Sequence, residues 1–251
     1  MDFHPEILTR IRERILALAS FSEEPGQITR PFLSPAMREV VDEVCTWAKA
    51  VDLHPSVDLM GNVSVRLPSK NPNAKTLLLG SHLDSVRNAG KFDGILGVVL
   101  ALAVAEQIAE WQLDLPFHLE VAGFSDEEGL RFQTAYLGSS YYIGKFDPCW
   151  LDETDSNGMT MAEALHEWGS DPDVTLAQMP IRDDLLGYCE VHIEQGPTLE
   201  LLGRPVGVVE SICGQTRVAI ELIGEAGHAG TTPMDQRRDA LTAASGVCTR
   251  S

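Results

Sequence analysis

The sequence predicts an α/β fold, a mixed sheet flanked by helices, and three observations carry that prediction. Strand-length apolar runs bounded by turn residues alternate with longer segments of helical periodicity. Apolar residues make up 44% of the 251 positions, enough for a sizeable core. At the centre, Thr76-Leu77-Leu78-Leu79 leads through Gly80-Ser81-His82-Leu83-Asp84 and Lys91-Phe92-Asp93-Gly94 into the apolar run Gly94–Ala105. That order reads as a buried strand, a loop carrying one imidazole and two carboxylates, and a buried helix.

The other elements follow in chain order. Ile7, Leu8, Ile11, Ile15 and Leu18 recur at helical spacing, which predicts an amphipathic helix over 5–19. Residues 20–30 are polar and contain Pro25-Gly26, a loop. Ser34-Pro35 suits a cap and first helical residue, and Val40, Val41, Val44, Trp47 and Ala48 continue that second helix. Val57-Asp58-Leu59 and Val63–Leu67 alternate around Met60-Gly61-Asn62 and predict a hairpin. Phe117–Phe124 is a further strand running into Ser125-Asp126-Glu127-Glu128-Gly129. A short helix is expected over 159–168 and a strand over Tyr188–Ile193. Two more strands are expected at 206–212 and 216–223, then a loop with Gly227-His228-Ala229-Gly230 and a helix over 236–244. The stretch Gly246–Ser251 looks unlike its continuation. Hairpin-like strands replace the alternating units near Ser211–Gly214, which sets an expected domain boundary between 211 and 212.

Charge narrows the function classes. The formal charge of −18 repels phosphate backbones and anionic lipid, so no nucleic-acid or membrane partner is expected. The five cysteines are scattered and odd in number, without a CxxC pair, which fits a reducing cytoplasm rather than a disulfide framework. No basic and apolar leader opens the chain, and no apolar run is long enough to span a bilayer. Gly-x-Ser-x-Gly and Walker-type phosphate loops are absent, and the cysteines have no suggestively spaced histidine.

The remaining chemistry lies at three predicted strand ends: His82 with Asp84 and Asp93, then Glu127 and Glu128, then His192. Ligands of open α/β sheets gather at the carboxyl ends of strands, so these groups can converge although distant in sequence. Imidazole and carboxylate form the usual ligand set of hydrolytic zinc or manganese sites. One carboxylate can bridge two cations, and another that is not a ligand can take a proton from water. Between Glu127 and Glu128 the residues alone do not say which would ligate.

Five motifs in order then carry a resemblance: Gly80–Val86, Gly90–Gly94, Phe124–Gly129, His192–Pro197 and Gly227–Met234. Together they resemble the binuclear metal-dependent amidohydrolases that include allantoate amidohydrolases, N-carbamoyl-L-amino acid hydrolases and β-ureidopropionases. The resemblance implies a zinc-peptidase-like catalytic domain over 1–211 and the start of a smaller α+β lid or dimerisation domain over 212–251. It implies two divalent ions, Zn2+ or Mn2+, with His82, Asp93, Glu128 and His192 as ligands and Asp93 between the two. Glu127 would be the general base and Asp84 would orient His82. Gln195, Arg217 and His228 resemble substrate-binding positions, and a guanidinium suits a carboxylate substrate. The implied reaction is hydrolysis of a ureido or carbamoyl C–N bond in a small carboxylate substrate. Allantoate comes first, N-carbamoyl amino acids next, and a peptide third. Full-length members run to roughly four hundred residues, beyond one ordinary domain, and form homodimers. This chain has no counterpart of their last metal-binding histidine. A truncated remnant that only binds a ligand is therefore the competing expectation, with weakened metal binding and little activity.

Overall fold

Alternation along one strand decides the layering about the sheet. In the computed structural model, which describes residues 5–248 except 215 and 217, Leu119 and Val121 point into one apolar cluster, and Ala122 and Phe124 point into another. Successive side chains of a strand face opposite sides, so a strand with both sets buried lies inside a sheet covered on both faces.

Helix α1 (Pro5–Leu18) and helix α2 (Pro35–Ala50) come first, the latter capped by Ser34, whose side chain accepts the Met37 N–H. Strand β1 (Pro55–Val57) pairs antiparallel with β2 (Val63–Leu67), and β2 pairs antiparallel with β4 (His118–Phe124). Strand β3 (Thr76–His82) lies parallel to β4, and helix α3 (Ile95–Glu110) connects them. Three short helices follow: α4 (Leu137–Tyr142), α5 (Met161–Trp168) and α6 (Pro172–Ala177). The sheet is completed by β5 (Leu185–Cys189), parallel to β3, which gives the five-strand order β1-β2-β4-β3-β5. This is the mixed sheet with flanking helices that the alternation of runs predicts.

The main core joins Leu18 of α1, Val40 and Val44 of α2, Val98 and Leu102 of α3, and Val63, Val65, Leu119 and Val121 of the sheet. Helix α3 is apolar nearly all round, as a helix enclosed by its neighbours must be. Its one buried carboxylate, Glu106, is met by Arg14 at 2.7 Å and Arg10 at 3.1 Å, both from α1. A second core, with Phe32, Met60, Phe132, Leu137 and Leu165, lies under the loops that follow β4.

The described residues divide into two compact units, and the division falls after Gly196. The second unit contains α7 (Thr198–Leu201), a 3-10 turn at Met234–Gln236 and α8 (Ala240–Cys248). No described helix is long and apolar enough to cross a membrane.

Four expectations are corrected. The first hairpin strand ends at Val57, not Leu59, because the Asp58 carboxylate accepts the N–H groups of Met60 and Asn62 and turns the chain. The strand expected over Tyr188–Ile193 spans Leu185–Cys189 instead, so His192 lies beyond its end. The described residues of 206–212 and 216–223 form no strands, since alternation alone makes none without a hydrogen-bonded neighbour. The last helix starts at Ala240 rather than 236 and continues through Gly246 to Cys248.

Gly80 shows how tightly β3 and β4 approach. A Cβ there would stand 1.9 Å from the Ala122 carbonyl oxygen, a backbone atom held in the sheet. Gly80→Ala is therefore expected to lower the urea midpoint, with a loss of about 1–3 kcal/mol from overpacking. Equilibrium unfolding followed by circular dichroism measures it.

Candidate metal centre

Because β3, β4 and β5 are mutually parallel, their carboxyl ends share one edge of the sheet. His82 ends β3 opposite Phe124, which ends β4. The segments leaving these strands therefore begin side by side, and the candidate ligands lie on them.

Asp84 ties the segments together. Its Oδ1 accepts the Glu127 N–H at 2.9 Å and its Oδ2 accepts the Glu128 N–H at 3.0 Å. The same Oδ1 lies 3.3 Å from His82 Nδ1, whose other neighbour is the Asp84 carbonyl oxygen at 3.1 Å. Both contacts offer acceptors, so the proton of a neutral His82 sits on Nδ1 and the Nε2 lone pair faces outward. Gly94 permits this packing. Its φ is +65°, and a Cβ there would fall 2.5 Å from the His82 ring.

His192 arrives from the segment after β5. Its Nδ1 lies 3.0 Å from the Ile193 carbonyl oxygen, so its Nε2 lone pair also points away from the backbone. The two Nε2 atoms stand 3.3 Å apart, and Asp93 Oδ1 lies 3.7 Å from one and 3.4 Å from the other. Two lone pairs cannot hydrogen-bond to each other, so the arrangement calls for a proton or a cation between them. Nitrogens each about 2.0–2.1 Å from a tetrahedral zinc are roughly 3.3 Å apart, which matches the observed spacing. The donor set fits a metal ion.

Ligand atoms of His82, Asp93 and His192 lie within 4.8 Å of one another, and so do those of His82, Glu127 and Glu128. Glu128 thus joins His82 but falls outside the close set formed with Asp93 and His192. Gln195 reaches the same place, its Nε2 donating to both Asp93 oxygens at 3.2 Å. His228 belongs to the second unit, where its Nδ1 accepts the Gly230 N–H at 3.1 Å. Arg217 lies outside the described residues.

The site is rich in negative charge. Burial by itself would lower the His82 pKa, but the hydrogen bond and charge of Asp84, with the charges of Glu127 and Glu128, outweigh it and hold the value up at about 9. Burial raises Glu128 to about 7; the positive His82 opposes this, and Glu127, Asp84 and Asp93 add to it. Glu127 is raised too, first by burial and then by Asp84 and Glu190 against the two imidazoles. Burial and the Asp84 charge push Asp126 well above the usual carboxylate range. Carboxylates raised in pKa beside an imidazole that is raised as well mark a pocket suited to added positive charge.

One neighbour was not foreseen from the sequence. Glu190 accepts hydrogen bonds from the Ser81 hydroxyl and from Tyr188 Oη, the latter at 2.8 Å, and so fastens the approach to His192 onto β3. An acidic residue two positions before a histidine carries no signal of that role.

Residues 62–159, which contain the His82–Glu128 part of the site, match the model of Peptidase family M28. The chain is 42% identical over 250 residues to allantoate deiminase 1 of Glycine max, covering 97% of this chain and 51% of that one. It is 39% identical over 241 residues to the N-carbamoyl-L-amino-acid amidohydrolase of Pseudomonas sp. (strain NS671), covering 95% and 58%. Its fold resembles the crystal structure of a hydantoinase/carbamoylase-family amidase from Burkholderia multivorans, with a TM-score of 0.74, 30% identity and coverage of 95% and 58%. The chain spans about half the length of such relatives.

The raised His82 and Glu128 values set a sign for pH dependence. A group whose pKa is higher when folded stabilises the fold below its unfolded pKa and loses that contribution as pH rises through the folded value. Glu128 gives up its share between about pH 4.5 and 7, and His82 between about pH 6.5 and 9. The chelated chain should accordingly melt at a lower temperature at pH 9 than at pH 6. Zinc, which competes with these protons, should raise the melting temperature more at pH 8 than at pH 6. Differential scanning calorimetry with and without EDTA reads both effects.

Proposed function

We propose that this chain, which belongs to the amidohydrolase family of allantoate deiminases and N-carbamoyl-L-amino-acid amidohydrolases, carries the metal-dependent hydrolytic site of an enzyme that cleaves a linear ureido or amide C–N bond in a small carboxylate substrate. The observation that carries the proposal is the convergence of His82 Nε2, His192 Nε2 and the Asp93 carboxylate on one point. Allantoate is the leading substrate, because the relatives bearing that name reach 42% identity. An N-carbamoyl-L-amino acid is the second reading, favoured by a relative of nearly equal identity, 39%.

His82, His192 and Asp93 would hold one divalent ion, with Asp93 and Glu128 directed to a second, zinc or manganese in each place. Such ions polarise the scissile carbonyl and lower the pKa of water to about 7. The protein supplies the remaining work. Glu127 is half-buried and its backbone is fixed by Asp84, so its carboxylate is free to accept a water proton and return it to the departing nitrogen. Burial raises its pKa above the usual carboxylate range, the direction that favours both transfers. Asp84 orients His82 and aligns the Glu127–Glu128 backbone. Gln195, beside Asp93, is positioned to meet a substrate polar group, and Arg217 and His228 are the further substrate-binding candidates.

We read 1–211 as the catalytic portion and 212–251 as the start of a smaller lid or dimerisation domain, with a homodimer as the working assembly. The described cysteines are all unpaired, which suits a reducing cytoplasm.

Two variants test the assignment in the enzyme that carries this sequence. Glu127→Gln should lower ammonia release from allantoate or an N-carbamoyl amino acid by about 10²–10⁴-fold, with metal content unchanged. His82→Ala should lose bound metal by elemental analysis. Full turnover in the Gln variant would remove Glu127 as the base, and unchanged metal content in the Ala variant would remove the metal reading.

A further inference from the structure

Arg30 is among the largest fully buried side chains, 1% exposed, in a chain whose other site groups are mostly anions. A buried guanidinium is costly unless its N–H groups are all met and its charge is balanced. Here it is met by carbonyls. Nε donates to the Leu83 carbonyl at 2.6 Å, and Nη1 donates to those of Leu18 at 3.2 Å and Phe21 at 3.0 Å. Its backbone is stitched to the same loop, since the Arg30 N–H donates to Ser85 Oγ at 2.9 Å and the Ser85 N–H donates to the Arg30 carbonyl at 3.1 Å. The stitching continues alongside, where the Ala89 N–H meets the Ile28 carbonyl at 2.8 Å and the Asn88 N–H meets Thr29 Oγ1 at 3.0 Å.

Leu83 is the residue between His82 and Asp84. Whatever holds its carbonyl sets the direction of the peptide that joins the candidate ligand to the carboxylate beneath it. Asp84 is also the carboxylate whose charge acts on Arg30. From this geometry we infer that Arg30 is a positioning residue of the metal centre: its guanidinium grips the 82–85 loop from below, and through Asp84 it holds His82 and the Glu127–Glu128 backbone in register. The inference rests on the metal-site reading above. A lysine would keep the charge, but its single ammonium cannot reproduce a planar fork fitted to three carbonyls.

The test uses the chain itself with Arg30→Met and Arg30→Lys, alongside Leu165→Ala as a control destabilised in the second core, away from the loop. Zinc affinity is measured by titration calorimetry, and amide hydrogen exchange at Glu127 and Glu128 is measured by NMR on chelated protein. Arg30→Met should bind zinc about 10–100-fold more weakly, the usual size of a defect behind a metal ligand. The two amides, released from Asp84, should exchange at least about tenfold faster, the scale of one local opening. Arg30→Lys should fall between, and it decides the matter if the Met variant does not fold. Leu165→Ala should melt earlier yet keep wild-type zinc affinity. Wild-type exchange at both amides, or wild-type zinc affinity in a folded Arg30→Met, would overturn the inference. A wild-type chain that binds no zinc would instead sink the metal reading, and Arg30 would then be judged on the exchange rates alone.

Discussion

Both oxygens of one buried carboxylate, Asp84, are engaged by the backbone N–H groups of Glu127 and Glu128, and the candidate site depends on that engagement. Without it, the loops leaving β3 and β4 would keep the last sheet pair, His82 with Phe124, and the Leu83 N–H on the Phe124 carbonyl at 2.7 Å, but Glu127 and Glu128 would lose their tie to Asp84. With it, one loop supplies the acceptor and the other the donors, and the two acidic side chains start from backbone positions set relative to His82. Charge-assisted hydrogen bonds to backbone N–H groups are among the stronger polar contacts in a protein interior. They are well suited to holding a site in which several like charges would otherwise drive the segments apart.

The sheet makes that contact available. Parallel pairing of β3 with both β4 and β5 brings three carboxyl ends to one edge, and the close approach at Gly80 leaves little freedom in the register. The apolar helix α3 lies against β3 and begins at Ile95, just past Asp93 and its neighbour Gly94, so the same packing that fills the core fixes where that carboxylate emerges. Core and site are therefore built from the same few residues, and rigidity in one serves placement in the other.

Electrostatics supplies the reason for such bracing. Asp84, Asp93, Glu127 and Glu128 gather about two imidazoles; the carboxylates hold the His82 pKa up, and burial, with their charges added, raises that of Glu128. Divalent ions would relieve the excess more effectively than protons do, and would engage the outward Nε2 lone pairs, which protonated rings could not offer. The pairing of Arg14 and Arg10 with Glu106 shows the opposite solution, where the charge of a buried carboxylate is matched by guanidinium groups inside the protein.

Local pattern determined a good deal. The helical spacing of Ile11, Ile15 and Leu18, the Ser34 cap, the apolar run of β3 and the motif residues His82, Asp84, Asp93, Glu127, Glu128 and His192 were all legible, because periodicity, caps and ligand chemistry are properties of short stretches. The alternating residues at 206–212 read as a strand and are not one in the fold, since a strand exists only with a neighbour to pair with. Beyond the reach of the sequence lay the end of β5 at Cys189, the fastening of Glu190 to Ser81, and the burial of Arg30 under Leu83. Each joins residues more than fifty positions apart, or depends on such a join, and no local spacing encodes a hydrogen bond to a distant carbonyl. The sequence by itself determined which imidazoles and carboxylates were present. Only the tertiary structure decided that two imidazoles meet within hydrogen-bonding distance, because that meeting is made by the pairing of β3 with β5 and the hold of Glu190 on Ser81.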